Sequence, residues 1–469
     1  MTKFAAVFRK YSKRLLIMSN NIDLKKGLDI PICGAAALKT KKTIVPDIVA
    51  IKPGDFRGLL PRLLVREGDK VLAGSPVLAD KKISDILFTS PVSGNVAEIV
   101  RGDKRKLLEV RIKADGQQEF LDFGVKKVEE LSSDQIKEAL LQSGLWPSIV
   151  QRPYGVTANP DLRPKAIFIS AFNTAPLAAN ADYALGDEFQ YVQTGINALS
   201  KLTDGGVHLS LLRETSLSTP FHKLENVISH VFSGKHPAGN VGVQISHILP
   251  IQKGETVWTV SMASLSAIGK LFLTGKYDVS RRIAITGPKA TDPSYVKGVP
   301  GISMKDISEF YDNAAGDLRF ISGNVLSGEN IGPEGFLGFF DDQVTIMKEG
   351  NRTELLGWAK PFRTKVFSSS RTYFSWLTPN RKYDMTTNLH GGVRAFVMSD
   401  VYSKVFPMDL FPLYLIKACL AGDIDKMEEY GIYEVLPEDF ALCEYVDPSK
   451  NDIQAIISNG IDLMLKEMA

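Results

Sequence analysis

The run Leu63-Leu64-Val65-Arg66-Glu67-Gly68-Asp69-Lys70-Val71-Leu72-Ala73-Gly74 is followed by Phe88-Thr89-Ser90-Pro91-Val92-Ser93-Gly94-Asn95-Val96. Short apolar stretches are cut by Gly and Pro at close intervals, and the pattern runs from Pro46 to Lys113 through Ile99, Val100, Val110 and Ile112. Strands of a few residues joined by tight turns are expected, with the glycines permitting the turns.

The spacing V-x-E-G-D-x-V-x-x-G … S-P-x-x-G-x-V resembles the lipoyl/biotinyl-type barrel-sandwich domain. A carrier domain of that type presents its modified lysine at a hairpin tip, as Met-Lys-Met or Asp-Lys-Ala. Lys81 and Lys82 stand in Asp-Lys-Lys-Ile, well before the Ser-Pro-x-x-Gly turn, so no covalent cofactor is expected.

Downstream, Ser132 and Gln135 form a capping box ahead of the apolar stripe Ile136, Leu140 and Leu141. Gly144 and Pro147 end that helix. The exit loop, Leu145-Trp146-Pro147 to Arg152-Pro153-Tyr154, groups aromatic and cationic side chains that suit either a flat ligand or a packed domain edge. From Lys165 to Lys276 strand and helix signals alternate, as in an α/β layer. Strands are expected at Lys165–Phe172, Val207–Leu212 and Thr256–Met262, and helices at Asp187–Leu202 and Ser264–Leu273. No G-x-G-x-x-G or G-x-x-x-x-G-K-[ST] occurs, and the glycine-rich turn Gly234–Gly242 matches neither nucleotide fingerprint. His208, His222, His230, His236 and His247 crowd this layer without metal-ligand spacing, and no G-x-S-x-G elbow marks a hydrolase.

Arg281–Gly287, Tyr295–Val299, a helix Lys305–Asn313 and Leu318–Ser322 suit a β-grasp module. The tail after Arg371 begins loop-rich around Asn388-Leu389-His390-Gly391-Gly392. It ends in helices around Phe411–Leu420 and Ile453–Met468, with Gly431 closing the acidic Asp423–Tyr430.

The 469 residues amount to about three domains at roughly 150 residues each. A hydrophobic content of 44% excludes a disordered chain, and 56 basic against 53 acidic residues give no field for nucleic acid. Cys33, Cys419 and Cys443 are too few and too scattered for an iron–sulfur or four-cysteine zinc site. No uncharged stretch reaches the roughly 20 apolar residues of a membrane span. The first 18 residues hold five basic and no acidic residues, with Phe4, Phe8, Tyr11 and Leu15 at helical spacing. They read either as a membrane-surface helix or as an extension upstream of a start at Met18.

Several blocks in fixed order resemble one family. They are Lys25-Lys26-Gly27-Leu28-Asp29-Ile30-Pro31-Ile32-Cys33-Gly34, Ser143-Gly144-Leu145-Trp146, His236-Pro237-Ala238-Gly239, Gly269–Gly275, Ile321–Gly328 and Asp439–Lys450, besides the Ser-Pro turn. The family is the A subunit of the bacterial Na+-translocating NADH:quinone oxidoreductase (Na+-NQR), and the resemblance runs from Ile22 to the C-terminus. It implies an α+β multidomain chain: an extra basic segment (1–21), a barrel-sandwich (lipoyl/biotinyl-like) domain (22–125) and a Rossmann-like α/β domain (126–280). A β-grasp (SLBB-like) domain (281–370) and a C-terminal region with helices (371–469) complete it.

It also implies a translocase role within a respiratory complex, in sodium transport and ubiquinone reduction. The protein is expected to be peripheral on the cytoplasmic face of the inner membrane. It would dock on the quinone-binding membrane subunit of that complex and hold no metal or covalent cofactor, with NADH, flavins and iron–sulfur clusters in partner subunits. Where relatives pair Cys443 with a second cysteine this chain has Asp447, so no cluster is expected there. Quinone contact is expected from the Pro31–Lys39 segment and the Leu145–Tyr154 loop, with Pro31, Gly34, Leu145, Trp146, Arg152 and Tyr154 as candidates. No catalytic residue is assigned. Two rival readings are a flavin- and NADH-binding dehydrogenase component, which a yellow protein would favour, and a free-standing ligand-binding module.

Overall fold

The computed structural model describes residues 20–312, 314, 316–350, 357, 363, 366–396 and 400–467. The basic stretch 1–18 lies outside them. The centre is a seven-stranded sheet in which Asn20–Asp23, Ile228–Ser233, Val207–Leu212, Ile167–Ser170 and Val257–Val260 run parallel in that order. An antiparallel pair, Ile149–Arg152 and Val156–Thr157, closes the far edge. Ile167-Phe168-Ile169 and Val257–Val260 are buried on both faces, as strands covered by helices on each side must be.

Helices Phe189–Ser200 and Met262–Thr274 pack tightly together on this layer. A side chain at Gly269 would place its Cβ 1.8 Å from the Tyr191 carbonyl oxygen, and one at Gly195 would lie 2.3 Å from that of Leu265. The two glycines therefore set the distance of closest approach. The capping box of Ser132 and Gln135 starts helix Ser133–Ser143, and Gly144 ends it at φ 77°. A Cβ at Gly144 would also lie 2.3 Å from the Thr89 methyl, so this residue lets the helix end seat on strand Leu87–Thr89.

Around that strand two small sheets form the barrel-sandwich. One is Ile48–Ile51, Leu107–Ala114, Gly94–Arg101 and Lys70–Val71; the other is Pro61–Leu63, Pro76–Asp80 and Leu87–Thr89. One continuous core joins this domain to the α/β layer, running from Val49 and Phe88 through Trp146 to Ile167 and Leu265. Pro76–Asp80 and Leu87–Thr89 pair antiparallel, and Lys81 and Lys82 lie in the loop between them. These lysines lie before the Ser90-Pro91 turn, as expected, and the loop that carries them is the tip of a hairpin.

The β-grasp sheet has six strands in the order Glu329–Asn330, Leu318–Ser322, Gln343–Lys348, Arg281–Thr286, Ser294–Gly298, Thr40–Thr43. Its expected helix Lys305–Asn313 is instead a 3-10 segment, Met304–Phe310, irregular at Ile307. The segment before the barrel-sandwich gives its strands away, Asn20–Asp23 to the α/β sheet and Thr40–Thr43 to the β-grasp sheet. Helices Pro412–Ala421, Ala441–Val446 and Ile453–Glu467 build a C-terminal cluster whose apolar core also takes in Ile30, Tyr154, Phe232 and Val243.

Gly269→Ala is expected to lower stability by about 2 kcal/mol, the ordinary cost of overpacking a close contact, measured by urea unfolding. Gly54→Ala, where a Cβ meets nothing within 4 Å, should stay within about 0.5 kcal/mol of the unaltered chain.

Candidate functional site

The parallel sheet reverses its winding between Ile167–Ser170 and Val257–Val260. The strand that follows the first in sequence lies on one side of it, and Val257–Val260 on the other. Such a switch point leaves a crevice beyond the carboxyl ends of the two strands. A cleft of about 500 Å³ opens there, with Ser170, Phe172, Thr259 and Met262 at its base. Phe340 of the β-grasp domain and Leu436 of the C-terminal region complete the wall.

Four arginines line the cleft, and each is held by partners within the chain. Arg152 is 1% exposed and reaches Glu438 at 2.7 Å and Asp439 at 3.2 Å. Gly242 makes room for that pair, since a Cβ there would lie 2.4 Å from the guanidinium and 2.6 Å from the carboxylate. Arg282 grips Asp187 through two bonds of 2.6 and 2.7 Å, and Arg57 reaches Asp462 at 2.7 Å. Arg281 donates to the Phe339 carbonyl at 2.7 Å beside Asp341 and Asp342. Burial pushes the Asp342 carboxyl up, and Arg281 opposes the rise. The charged groups of the wall are thus largely paired within it, although Arg152 Nε, Arg281 Nε and Asp439 Oδ1 are buried without a hydrogen-bond partner. Asp55 also lines the cleft, and most of the remaining surface is apolar or neutral.

Helix Val241–Ile248 starts on the rim with no side chain capping its first N–H groups. Behind it, Gln244 donates to Ser170 at 2.9 Å and to the Ala238 carbonyl at 3.0 Å, while its buried Oε1 has no hydrogen-bond partner. The Gly234–Gly242 turn brings His236, Gly239 and Asn240 to the same rim. His236 is enclosed, contacts Thr174 Oγ1 at 3.2 Å through Nδ1, and burial lowers its pKa to about 4. His208 and His230, on adjacent strands, hydrogen-bond to each other at 2.9 Å, with ring planes 7° apart. Among the described residues no cluster of three or more His, Cys, Asp or Glu is arranged to hold a metal. Cys443 is enclosed in the C-terminal core, where burial pushes its thiol well up.

Of the six residues expected near quinone, only Arg152 lies on this cleft. Leu145 and Trp146 are core residues, 1% and 0% exposed. Trp146 donates its ring N–H to the Ala158 carbonyl at 2.7 Å and meets Trp258 edge to face at 5.4 Å, so it offers no open face for stacking. Tyr154 is enclosed against Tyr433 in the C-terminal core. Of the two readings of this loop, a flat-ligand site or a packed domain edge, Trp146 and Tyr154 take the packed edge. Pro31 and Gly34 sit elsewhere: the Pro31 carbonyl accepts the Tyr383 N–H at 2.8 Å, and Gly34 lies against Gly287 of the β-grasp sheet. Ser170, Phe172 and Asn240 were not singled out as site residues from the sequence. Their elements were readable, but the strand order that gathers them was not.

The barrel-sandwich, Rossmann-like sheet and β-grasp module, joined around a switch-point cleft, define a three-module α/β protein with a ligand-sized site. The chain matches the descriptions "NqrA N-terminal barrel-sandwich hybrid domain" over residues 22–115, "NqrA second alpha/beta domain" over 131–277 and "NQRA C-terminal domain" over 282–332. It is 36% identical over 450 residues to a Rhodopirellula baltica protein named as the A subunit of the Na(+)-translocating NADH-quinone reductase, covering 95% of this chain and 98% of that one. Proteins of the same name from Yersinia pestis and Histophilus somni are also 36% identical, over 439 and 449 residues, covering 93% and 95% of this chain and 97% and 100% of theirs. The chain belongs to the NqrA family, the A subunits of Na+-translocating NADH-quinone reductases.

Arg152→Met should destabilise the chain by roughly 3–5 kcal/mol, because Asp439 is left buried and unpaired. The double variant Arg152→Met/Asp439→Leu should recover most of that loss in urea unfolding. The depressed pKa of His236 means the unfolded chain binds more protons between about pH 6.5 and 4, so stability falls as pH drops through that window. His236→Asn should flatten the dependence, seen as a smaller change in urea midpoint between pH 7 and pH 5.

Proposed function

We propose that this chain is the peripheral NqrA component of a Na+-translocating NADH:quinone reductase, the complex that couples NADH oxidation and quinone reduction to Na+ export. At the cytoplasmic face it docks on the membrane component that binds quinone, and it receives the quinone head group in the switch-point cleft. Hydride and electron transfer steps remain with flavins and iron–sulfur centres of partner subunits. Among the described residues no helix is long and apolar enough to cross a membrane, which fits attachment through a partner.

The supporting observation is the charge balance of the cleft. A dinucleotide or flavin phosphate needs uncommitted positive charge or a glycine-rich phosphate loop at the strand end. Here Arg57, Arg152, Arg281 and Arg282 each bond at least one carboxylate or carbonyl of the chain, while the Nε of Arg152 and of Arg281 has no partner. A neutral ring with carbonyl oxygens suits such a wall. Apolar contacts come from Phe172, Leu185, Met262 and Phe340, and hydrogen-bond donors from the uncapped start of helix Val241–Ile248.

The test is photolabelling of the gently solubilised complex with a photoreactive ubiquinone, followed by peptide mapping. Label is expected on peptides containing Phe172, Met262 or Phe340, and Ala263→Trp, which fills the cleft, should reduce it about tenfold. Recovery of the chain without membrane subunits, or label confined to those subunits, would overturn the reading.

A further inference from the structure

Phe374–Leu377 forms one 3-10 turn on the surface of the C-terminal region. Phe374, Trp376 and Leu377 are 56%, 53% and 60% exposed, whereas Ser375 between them points inward and accepts the Ser368 N–H at 3.1 Å. The turn is thus held from beneath by its one buried side chain and spreads the other three outward. From residue 366 to 382 the chain contains no Asp or Glu. Arg371, Arg381 and Lys382 are exposed in that stretch, and none pairs with a carboxylate among the described residues. Tyr383 anchors the end of the stretch, its N–H donating to the Pro31 carbonyl at 2.8 Å and its carbonyl accepting from the Cys33 N–H at 3.0 Å.

We propose that the 366–383 segment rests on the anionic head-group layer of the membrane, with Phe374, Trp376 and Leu377 entering the interface and Arg371, Arg381 and Lys382 binding acidic lipid. Exposed Trp, Phe and Leu flanked by cations, with no acid between residues 366 and 382, is the composition that partitions into a lipid–water interface. A protein partner would have to place carboxylates against three separate cations, whereas an anionic leaflet presents negative charge everywhere beneath the turn. This inference is independent of the quinone assignment to the switch-point cleft.

The experiment is sedimentation of the full chain with vesicles of phosphatidylethanolamine and phosphatidylglycerol, compared with phosphatidylcholine vesicles. Stronger binding to the anionic vesicles is expected, weakened by salt. It should fall about tenfold or more in Arg371→Gln/Arg381→Gln/Lys382→Gln, given the contribution of each basic residue near an anionic surface. A similar loss is expected in Phe374→Ser/Trp376→Ser/Leu377→Ser. Vesicles with brominated acyl chains should quench tryptophan emission, and Trp376→Phe should remove much of that quenching while leaving the circular dichroism unchanged. Equal binding to both vesicle types, or variants that bind like the unaltered chain, would overturn the proposal. So would shielding of Trp376 from a water-soluble quencher in the lipid-free, detergent-solubilised complex, which would assign the turn to a protein partner.

Discussion

The C-terminal region shares an apolar core with the α/β layer, and a buried charge pair fixes where the two meet. Arg152 stands at the end of the sheet's antiparallel strand, and its partner Asp439, 287 positions later, is 0% exposed at its side chain. Taking both ions out of water costs more than an ordinary contact returns, so the pair tolerates little rearrangement around it. Gly242 leaves the space the pair fills, and the Leu436 N–H adds a bond of 2.9 Å to the Asp439 carboxylate. One end of the cleft is consequently set by elements far apart in the chain and fixed relative to one another.

That constraint shapes what the cleft can hold. Parallel α/β sheets leave a crevice at the switch point, and open positive charge or glycine-rich turns there receive phosphates. In this chain the positions are occupied by arginines that bond internal carboxylates or, for Arg281, backbone carbonyls, and by a turn, Gly234–Gly242, that presents a helix start without a fingerprint loop. The crevice of a parallel α/β sheet is present, and most of the charge that lines it is engaged within the chain. A binding surface of that kind discriminates by shape and by a few hydrogen bonds more than by charge.

Much of the fold was legible because its signals are local. Ser132, Gln135 and Gly144 bracket a helix through caps that act within a few residues, and Val207–Leu212 and Leu318–Ser322 are strands with the bounds expected. Long-range pairing was less legible. Nothing in Asn20–Asp23 or Thr40–Thr43 announces that they join two other sheets, and Gln343–Lys348, central to the β-grasp sheet, is not among the expected strands. The candidate site suffered from the same limit. Trp146 and Tyr154 suit a ligand platform and a packed domain edge equally in sequence, and only burial and partners separate the two. Arg152 was found for its charge, although its buried partners could not be read from the loop that contains it.

The path of the first strand has a consequence for how the protein is made. Asn20–Asp23 leaves the ribosome early, yet pairs with Ile228–Ser233, about two hundred residues further on. At roughly 5–20 residues per second it waits on the order of ten to forty seconds for that partner. The barrel-sandwich hairpins, whose strands are neighbours in the chain, can close in the interval. The nascent chain can therefore close its barrel-sandwich before it can seat its first strand, and the α/β sheet acquires its outer edge from a segment already tethered to a folded domain. Assembly proceeds from the middle outward, and the amino-terminal strand serves as a late clasp.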